Sequence, residues 1–161
     1  MPADIYWIGP VAAGKVAILA RPRPGDWLED EISDWRRLEV HVVVSLLEPS
    51  EALHLGLETE AELCIASGID FVSFPIPDVQ VPVSEAPLQA LVTGLLTHLE
   101  GGRNVGIHCR GGVGRSAVIA ACLLVAAGTS PEEALNAISI ARGVGVPETD
   151  AQRAYVMSFR R

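Results

Sequence analysis

The chain is short of basic residues, has no long apolar run and contains no paired cysteines. Twelve Lys and Arg against twenty Asp and Glu leave a net charge of −8, which argues against nonspecific attraction to nucleic acid or to an anionic membrane. Any anion site must therefore be local. No stretch reaches the roughly eighteen apolar residues of a membrane span, and Met1-Pro-Ala-Asp-Ile-Tyr-Trp7 lacks the basic flank and apolar centre of a secretory leader. A cytoplasmic protein is expected, with neither a nucleic-acid nor a membrane partner. Cys64, Cys109 and Cys122 are an odd set without a CxxC pair, which fits neither a disulfide framework nor a zinc knuckle. That leaves a reducing compartment and a thiol available for chemistry. Repeats, low-complexity tracts and long linkers are absent too. A length of 161 residues, 49% of them hydrophobic, predicts one compact domain over residues 1–161.

The segments alternate in type. Residues 4–9 and 15–20 read as short strands, and Trp27, Leu28, Glu31, Ile32, Trp35 and Leu38 then fall at helical spacing. The β-branched and Leu run over 40–47 suits a strand buried on both faces. Residues 58–67 read as a helix ended by Gly68, 69–74 as a strand, and 75–83, with its three prolines, as loop. Ser84 is placed to cap a helix whose Leu88, Leu91, Val92, Leu95, Leu96 and Leu99 share one face. Gly101-Gly102 closes it. A short strand over 104–108 then runs into Cys109-Arg-Gly-Gly-Val-Gly-Arg-Ser116 and an almost wholly apolar helix to 127. Ser130-Pro131-Glu132-Glu133 opens another helix, and 148–159 makes the last. This order predicts an α/β fold, a central and mainly parallel sheet flanked by helices, with a strand–phosphate loop–helix unit at 104–127.

That unit carries the chemistry. The first turn of a helix leaves its N–H groups unpaired and holds the positive end of the dipole. Gly111, Gly112 and Gly114 let successive N–H groups over Arg110, Gly111, Gly112, Val113 and Gly114 converge into an anion nest. Arg115 would add a planar, bidentate donor to two phosphoryl oxygens. Cys109, at the mouth of this nest, sits in a positive potential that favours the thiolate, the form that attacks phosphorus. The leaving oxygen needs a proton and the later water needs a base. Asp78, in the proline-bounded loop after a strand, is the candidate, although Asp after Pro is also an ordinary turn former. Ser116 is placed to donate a hydrogen bond to the sulfur. No cofactor or metal is required if the loop neutralises the charge.

His108-Cys109, five residues, then Arg115-Ser116 resembles the signature of the protein tyrosine phosphatase superfamily. With Pro75-Ile-Pro-Asp78 upstream and Ser130-Pro-Glu-Glu-Ala134 and Arg142-Gly143 downstream, the chain is most similar to the dual-specificity branch, especially the cyclin-dependent-kinase-associated phosphatases. The similarity runs from about Val40 onward and is weaker over the first forty residues. It implies Cys109 as nucleophile, Arg115 as phosphate clamp, Asp78 as general acid, Ser116 as helper in dephosphorylation and His108 as support behind the loop. Relatives often have Gln-Thr-x-x-Gln in the last loop, where the first Gln orients water. This chain has Glu148-Thr-Asp-Ala-Gln152. Either Gln152 takes that role, Glu148 replaces it, or the role is dispensable.

The expected activity is hydrolysis of phosphotyrosine, with phosphoserine and phosphothreonine as further targets, in proteins. The alternatives are a phosphate-reading module with weak turnover and a phosphatase of a small phosphorylated metabolite. Two other motifs fall short. Gly9-Pro-Val-Ala-Ala-Gly14-Lys15-Val16 nearly spells a nucleotide-binding loop, but Val16 replaces the hydroxyl that holds magnesium, and a turn between strands fits better. Arg21-Pro-Arg-Pro-Gly25 reads as a stiff exposed connection in preference to a basic rim that meets substrate. Cys122 and Cys64 read as packing residues.

Overall fold

The computed structural model describes residues 4–160. Five strands, β1 (Ile5–Val11), β2 (Gly14–Leu19), β3 (Val42–Ser45), β4 (Asp70–Ser73) and β5 (Val105–His108), form one sheet in the order β1-β2-β5-β3-β4. β1 and β2 pair antiparallel through a tight turn, and the other three pairings are parallel. The near-match to a nucleotide-binding loop is that hairpin turn. Among the described residues, no helix is long and apolar enough to cross a membrane.

The helices are α1 (Asp26–Arg37), α2 (Pro49–His54), α3 (Glu60–Ala66), α4 (Glu85–Glu100), α5 (Arg115–Ala126), α6 (Pro131–Arg142) and α7 (Asp150–Ser158). Strand alternation divides the apolar side chains between two cores. Val16, Ile18, Val42, Val44, Val105 and Ile107 face the larger core under α4, α5, α6 and α7. Ala17, Leu19 and Val43 face the smaller one, built on Leu28, Ile32, Trp35 and Cys64 from α1 and α3. The run at 40–47 is therefore buried on both faces as expected, although its ladder covers only Val42–Ser45. Gly106 lies on the smaller-core face of the sheet, with Ala17 and Leu19. A Cβ there would come within 2.7 Å of the Leu19 side chain, which takes that space instead.

Several expected boundaries hold through their backbone. Gly68 has φ of 78° and closes α3, Gly143 has φ of 72° and closes α6, and Ser130 Oγ accepts the Glu133 N–H at 3.2 Å. Ser84 stands at the N-cap position of α4, but its side chain makes no capping bond there. The segment 49–54, unassigned in the sequence, forms α2. Its start repeats the pattern at Ser130: Pro49 occupies the first turn, and the Glu48 N–H donates to Glu51 Oε1 at 3.0 Å.

Candidate active site

β5 lies between β2 and β3 and is buried along its whole length, so the chain leaving it at His108 emerges from the middle of the sheet. Six residues, Cys109 to Gly114, then turn it into α5. Gly112 adopts φ of 73°, a conformation that favours glycine. The Gly112 N–H donates to Cys109 Sγ at 3.4 Å. From outside the loop, Arg142 Nε donates to the Gly112 carbonyl at 3.0 Å and Nη2 to the Gly111 carbonyl at 3.4 Å. Arg142 thus occupies two loop carbonyls and holds the curl in place.

A cavity of about 170 Å³ opens over this loop. Cys109, Arg110, Gly111, Val113, Gly114 and Arg115 form its floor, with Asp78 and Glu148 also in the wall. Cys109 and Arg115 are almost wholly buried, while half of the Asp78 side chain is exposed. Asp78 Oδ1 accepts the Val79 N–H at 2.9 Å and lies 3.1 Å from Arg115 Nη2. The loop geometry of an Asp after Pro and the placement over the cysteine therefore coexist in one residue.

Arg115 is the most densely bonded side chain of the site. Its Nη1 donates to Glu51 Oε1 at 2.7 Å, to the Ile76 carbonyl at 2.8 Å and to the Leu46 carbonyl at 3.4 Å, and its Nη2 to Glu51 Oε2 at 2.9 Å. Nε–H makes no hydrogen bond among the described residues. Burial disfavours the charge of Arg115, but the hydrogen bonds it donates to Glu51 and the charges of Cys109, Glu51 and Asp78 outweigh it and raise the pKa. Burial likewise penalises ionised Glu51, yet Arg115 and the Glu48 N–H hold its carboxyl below the usual range. Glu51 went unnoticed in the sequence. Its signal was the Glu48-Pro49-Ser50-Glu51 helix start, which predicts a short helix but says nothing of its target.

His108 Nε2 lies 2.6 Å from Glu60 Oε2 and its Nδ1 3.4 Å from the Cys109 carbonyl oxygen. Both side chains are buried in the smaller core beside Trp35. Glu60 is the second residue that sequence reasoning missed. It braces His108 from α3, behind the loop.

Gln152 is fully buried, and its Oε1 accepts the N–H groups of Glu148 at 3.2 Å and Thr149 at 3.1 Å. Its Nε2 donates to the Gln80 carbonyl at 3.2 Å, tying α7 to the loop that carries Asp78. Glu148 and Gln152 both crowd Gly114, where a Cβ would stand 2.8 Å from Glu148 Oε1 and 3.2 Å from Gln152 Nε2. Ser116 is buried, and its Oγ has no hydrogen-bond partner among the described residues. Gly112 N–H, not Ser116, is the group bonded to sulfur here. Burial pushes the thiols of Cys64 and Cys122 up to about 12, with the Glu60 charge adding to the effect at Cys64.

Comparison with known proteins adds independent findings. Residues 3–159 match the family model described as PTP-SAK: Swiss Army Knife protein, DSP-PTPase phosphatase domain. Cyclin-dependent kinase inhibitor 3 of Rattus norvegicus is 38% identical over 88 residues, which make up 53% of this chain and 41% of that protein. The Homo sapiens protein of that name is 39% identical over the same shares. The matched region thus spans about two fifths of these relatives' length. A kinase associated phosphatase with its catalytic cysteine replaced by serine superposes with a TM-score of 0.88 over 99% of this chain and 95% of its own, at 24% identity. Tk-PTP in its active form gives 0.76 over 94% and 92%, at 27% identity. Since the family match runs from residue 3 to residue 159, and so takes in every strand and the loop at their centre, this chain belongs to the DSP-PTPase phosphatase domain family, a group of cysteine-dependent dual-specificity phosphatases.

Proposed function

We propose that the chain acts as one phosphatase domain that hydrolyses phosphate monoesters, phosphotyrosine first and phosphoserine or phosphothreonine besides, in cytoplasmic proteins. The observation that carries this reading is the meeting of Cys109, Arg115 and Asp78 around one cavity at the mouth of the phosphate loop. The phosphoryl oxygens would rest on the loop N–H groups from Arg110 to Gly114 and on Nε–H and Nη2 of Arg115. Glu51 holds the far side of the guanidinium, so the clamp is oriented before substrate arrives.

In the first step the Cys109 thiolate attacks phosphorus in line, an S–P bond forms, and the P–O bond to the substrate breaks. Asp78, protonated, gives its proton to the leaving oxygen. In the second step water attacks phosphorus, ionised Asp78 takes the water's proton, and the S–P bond breaks to return the thiolate and inorganic phosphate. Ser116 would donate its unused O–H to sulfur as charge returns there. Glu148, in the cavity wall, and Gln152, behind it, are the groups available to orient the water. A small phosphorylated metabolite uses the same chemistry and is the second substrate class.

The test is turnover of a chromogenic aryl phosphate in the presence of chelator by wild type, Cys109→Ser and Asp78→Ala. Cys109→Ser should abolish activity, and Asp78→Ala should lower it by roughly 10²–10⁴-fold. Undiminished turnover in Cys109→Ser, or dependence on added metal, would sink the mechanism.

A further inference from the structure

Another cavity, of about 320 Å³, lies on the smaller-core side of the sheet and exceeds the one above Cys109, at about 170 Å³. Leu47, Ala52, Leu57 and Phe71, which belong to the smaller core or pack against it, give it an apolar wall. Ser45 and Ser73, partners at the ends of β3 and β4, add hydroxyl groups, and Glu58 and Glu60 bring two carboxyl groups from the start of α3. Among the described residues, no Lys, Arg or His lines it.

Glu60 is the informative group. Its side chain is 3% exposed, and Oε2 lies 2.6 Å from His108 Nε2, whereas Oε1 makes no hydrogen bond among the described residues. A carboxylate oxygen left bare inside a protein is costly until a donor reaches it. The cavity that Glu60 lines is where such a donor has room. Small-molecule sites are typically cavities of roughly 300–1,000 Å³ with apolar walls and a few fixed polar groups. An apolar wall with two carboxyl groups and no base complements a molecule with an apolar body and a protonated amine, whose N–H groups make charge-assisted bonds to carboxylate. An acid would meet like charge there, and a purely apolar molecule would leave Oε1 unpaired.

The geometry points to a second ligand site, between α2 and α3, for a small apolar amine whose ammonium donates to Glu60 Oε1 and whose body lies against Leu57 and Phe71. The site goes beyond the phosphatase reading, since none of its lining residues touches the phosphoryl group in the proposed reaction. It reaches the phosphate loop by two routes. Through Glu60 it meets His108, whose Nδ1 is 3.4 Å from the Cys109 carbonyl oxygen. Through Pro49 and Ala52 it meets α2, which carries Glu51 to Arg115. α2 has six residues and none of them is buried, so it gains little from packing of its own. An occupant seated against α2 and an anion held by Arg115 order the same helix, and each lowers the cost of binding the other.

Calorimetric titration of phenylbutylamine, phenylbutanol and phenylbutyrate into the full chain, at constant ionic strength, separates the occupants. The amine should bind about tenfold more tightly than the alcohol, and the acid more weakly than either. Glu60→Gln should remove the amine's lead and leave the alcohol within twofold of wild type. Ala61→Phe adds a ring at the cavity wall and should abolish binding of all three, which decides the matter if Glu60→Gln does not fold. Saturating inorganic phosphate should tighten amine binding about fivefold, and Glu51→Gln should remove that gain. An acid or alcohol that binds as tightly as the amine, or amine binding undiminished in Ala61→Phe, would overturn the site. An amine lead that survives Glu60→Gln would overturn Glu60 as its anchor, and an amine affinity indifferent to phosphate would overturn the coupling through α2. None of these measurements requires turnover, so amine binding of this kind in a chain inert toward aryl phosphate would reject the phosphatase reading and keep the site.

Discussion

Replacing Glu51 by Gln keeps the side chain's shape and removes its charge, and so tests how far Arg115 depends on a partner in another helix. Glu51 receives two guanidinium hydrogen bonds, at 2.7 and 2.9 Å, from a side chain that is 1% exposed. Removing one member of a buried pair costs about 3–5 kcal/mol. Here Glu51 is 12% exposed, a Gln carbonyl still accepts one bond, and the Ile76 and Leu46 carbonyls remain. The expected loss of stability is therefore nearer 2 kcal/mol, the scale of one hydrogen bond to a charged group. The loss should also depend on pH. The folded carboxyl is held below its ordinary value, so the unfolded chain binds more protons at that site and stability rises with pH through that region. The contribution is complete above the unfolded value of about 4.3 and fades as pH falls through the folded one. The gap between wild type and Glu51→Gln should narrow accordingly in acid. In catalysis, an Arg115 freed on its Glu51 side turns toward Asp78, 3.1 Å away, and kcat/KM on aryl phosphate should fall by roughly 10–100-fold. Urea titration at neutral and acid pH and steady-state kinetics provide the measurement. A variant within 0.5 kcal/mol and twofold of wild type, both below ordinary mutational scatter, would refute the claim that Glu51 sets the clamp.

Two further outcomes follow from groups near the loop. With the thiols of Cys64 and Cys122 pushed up to about 12 by burial and Cys109, though also buried, lining the open cavity, iodoacetamide at neutral pH should label Cys109 alone in folded protein, as read by peptide mass mapping, and bound inorganic phosphate should slow it; labelling of either other cysteine first would contradict this reasoning. Gly114→Ala places a Cβ 2.8 Å from Glu148 Oε1 and 3.2 Å from Gln152 Nε2. Exposed Glu148 moves aside readily and buried Gln152 does not, so stability should drop by only about 1–2 kcal/mol, while rapid-quench kinetics should show the phosphocysteine accumulating as its hydrolysis slows. A slowed first step with no accumulation would remove both residues from the water-activating half of the reaction.

The parts of this site that lie close in sequence were legible, because local chain geometry decides them. The spacing from Cys109 to Arg115, the glycines between them and the strand on one side with the apolar helix on the other already specified a curled loop at a helix start. Asp78 was legible only in combination with that loop, since an Asp after Pro has its own reason to exist. Glu51 and Glu60 were not legible. Each sits on a short helix whose surface pattern is unremarkable, and each meets its partner, 64 and 48 residues away, only because β3 and β5 are neighbours in the sheet. Pairing order of that kind is set by how two cores share one sheet, and no residue within either helix encodes it. The helix at 49–54 was missed for a related reason: it is too short to show a repeat, and only its cap carries a signal. Ser84 illustrates the converse, a good capping residue whose side chain makes no cap bond in the fold.

The contact between Asp78 and Arg115 has a thermodynamic consequence of its own. With its carboxylate beside Nη2, Asp78 acts as an internal competitor, an anion already covering part of the clamp. Every phosphate, sulfate or vanadate ion that binds must displace the same occupant, so the same increment is subtracted from each affinity and the ranking among anions is unchanged. Asp78→Ala should then bind all of them more tightly, by one common factor, while turning over substrate more slowly. In the proposed reaction, the same contact would help expel inorganic phosphate from Arg115.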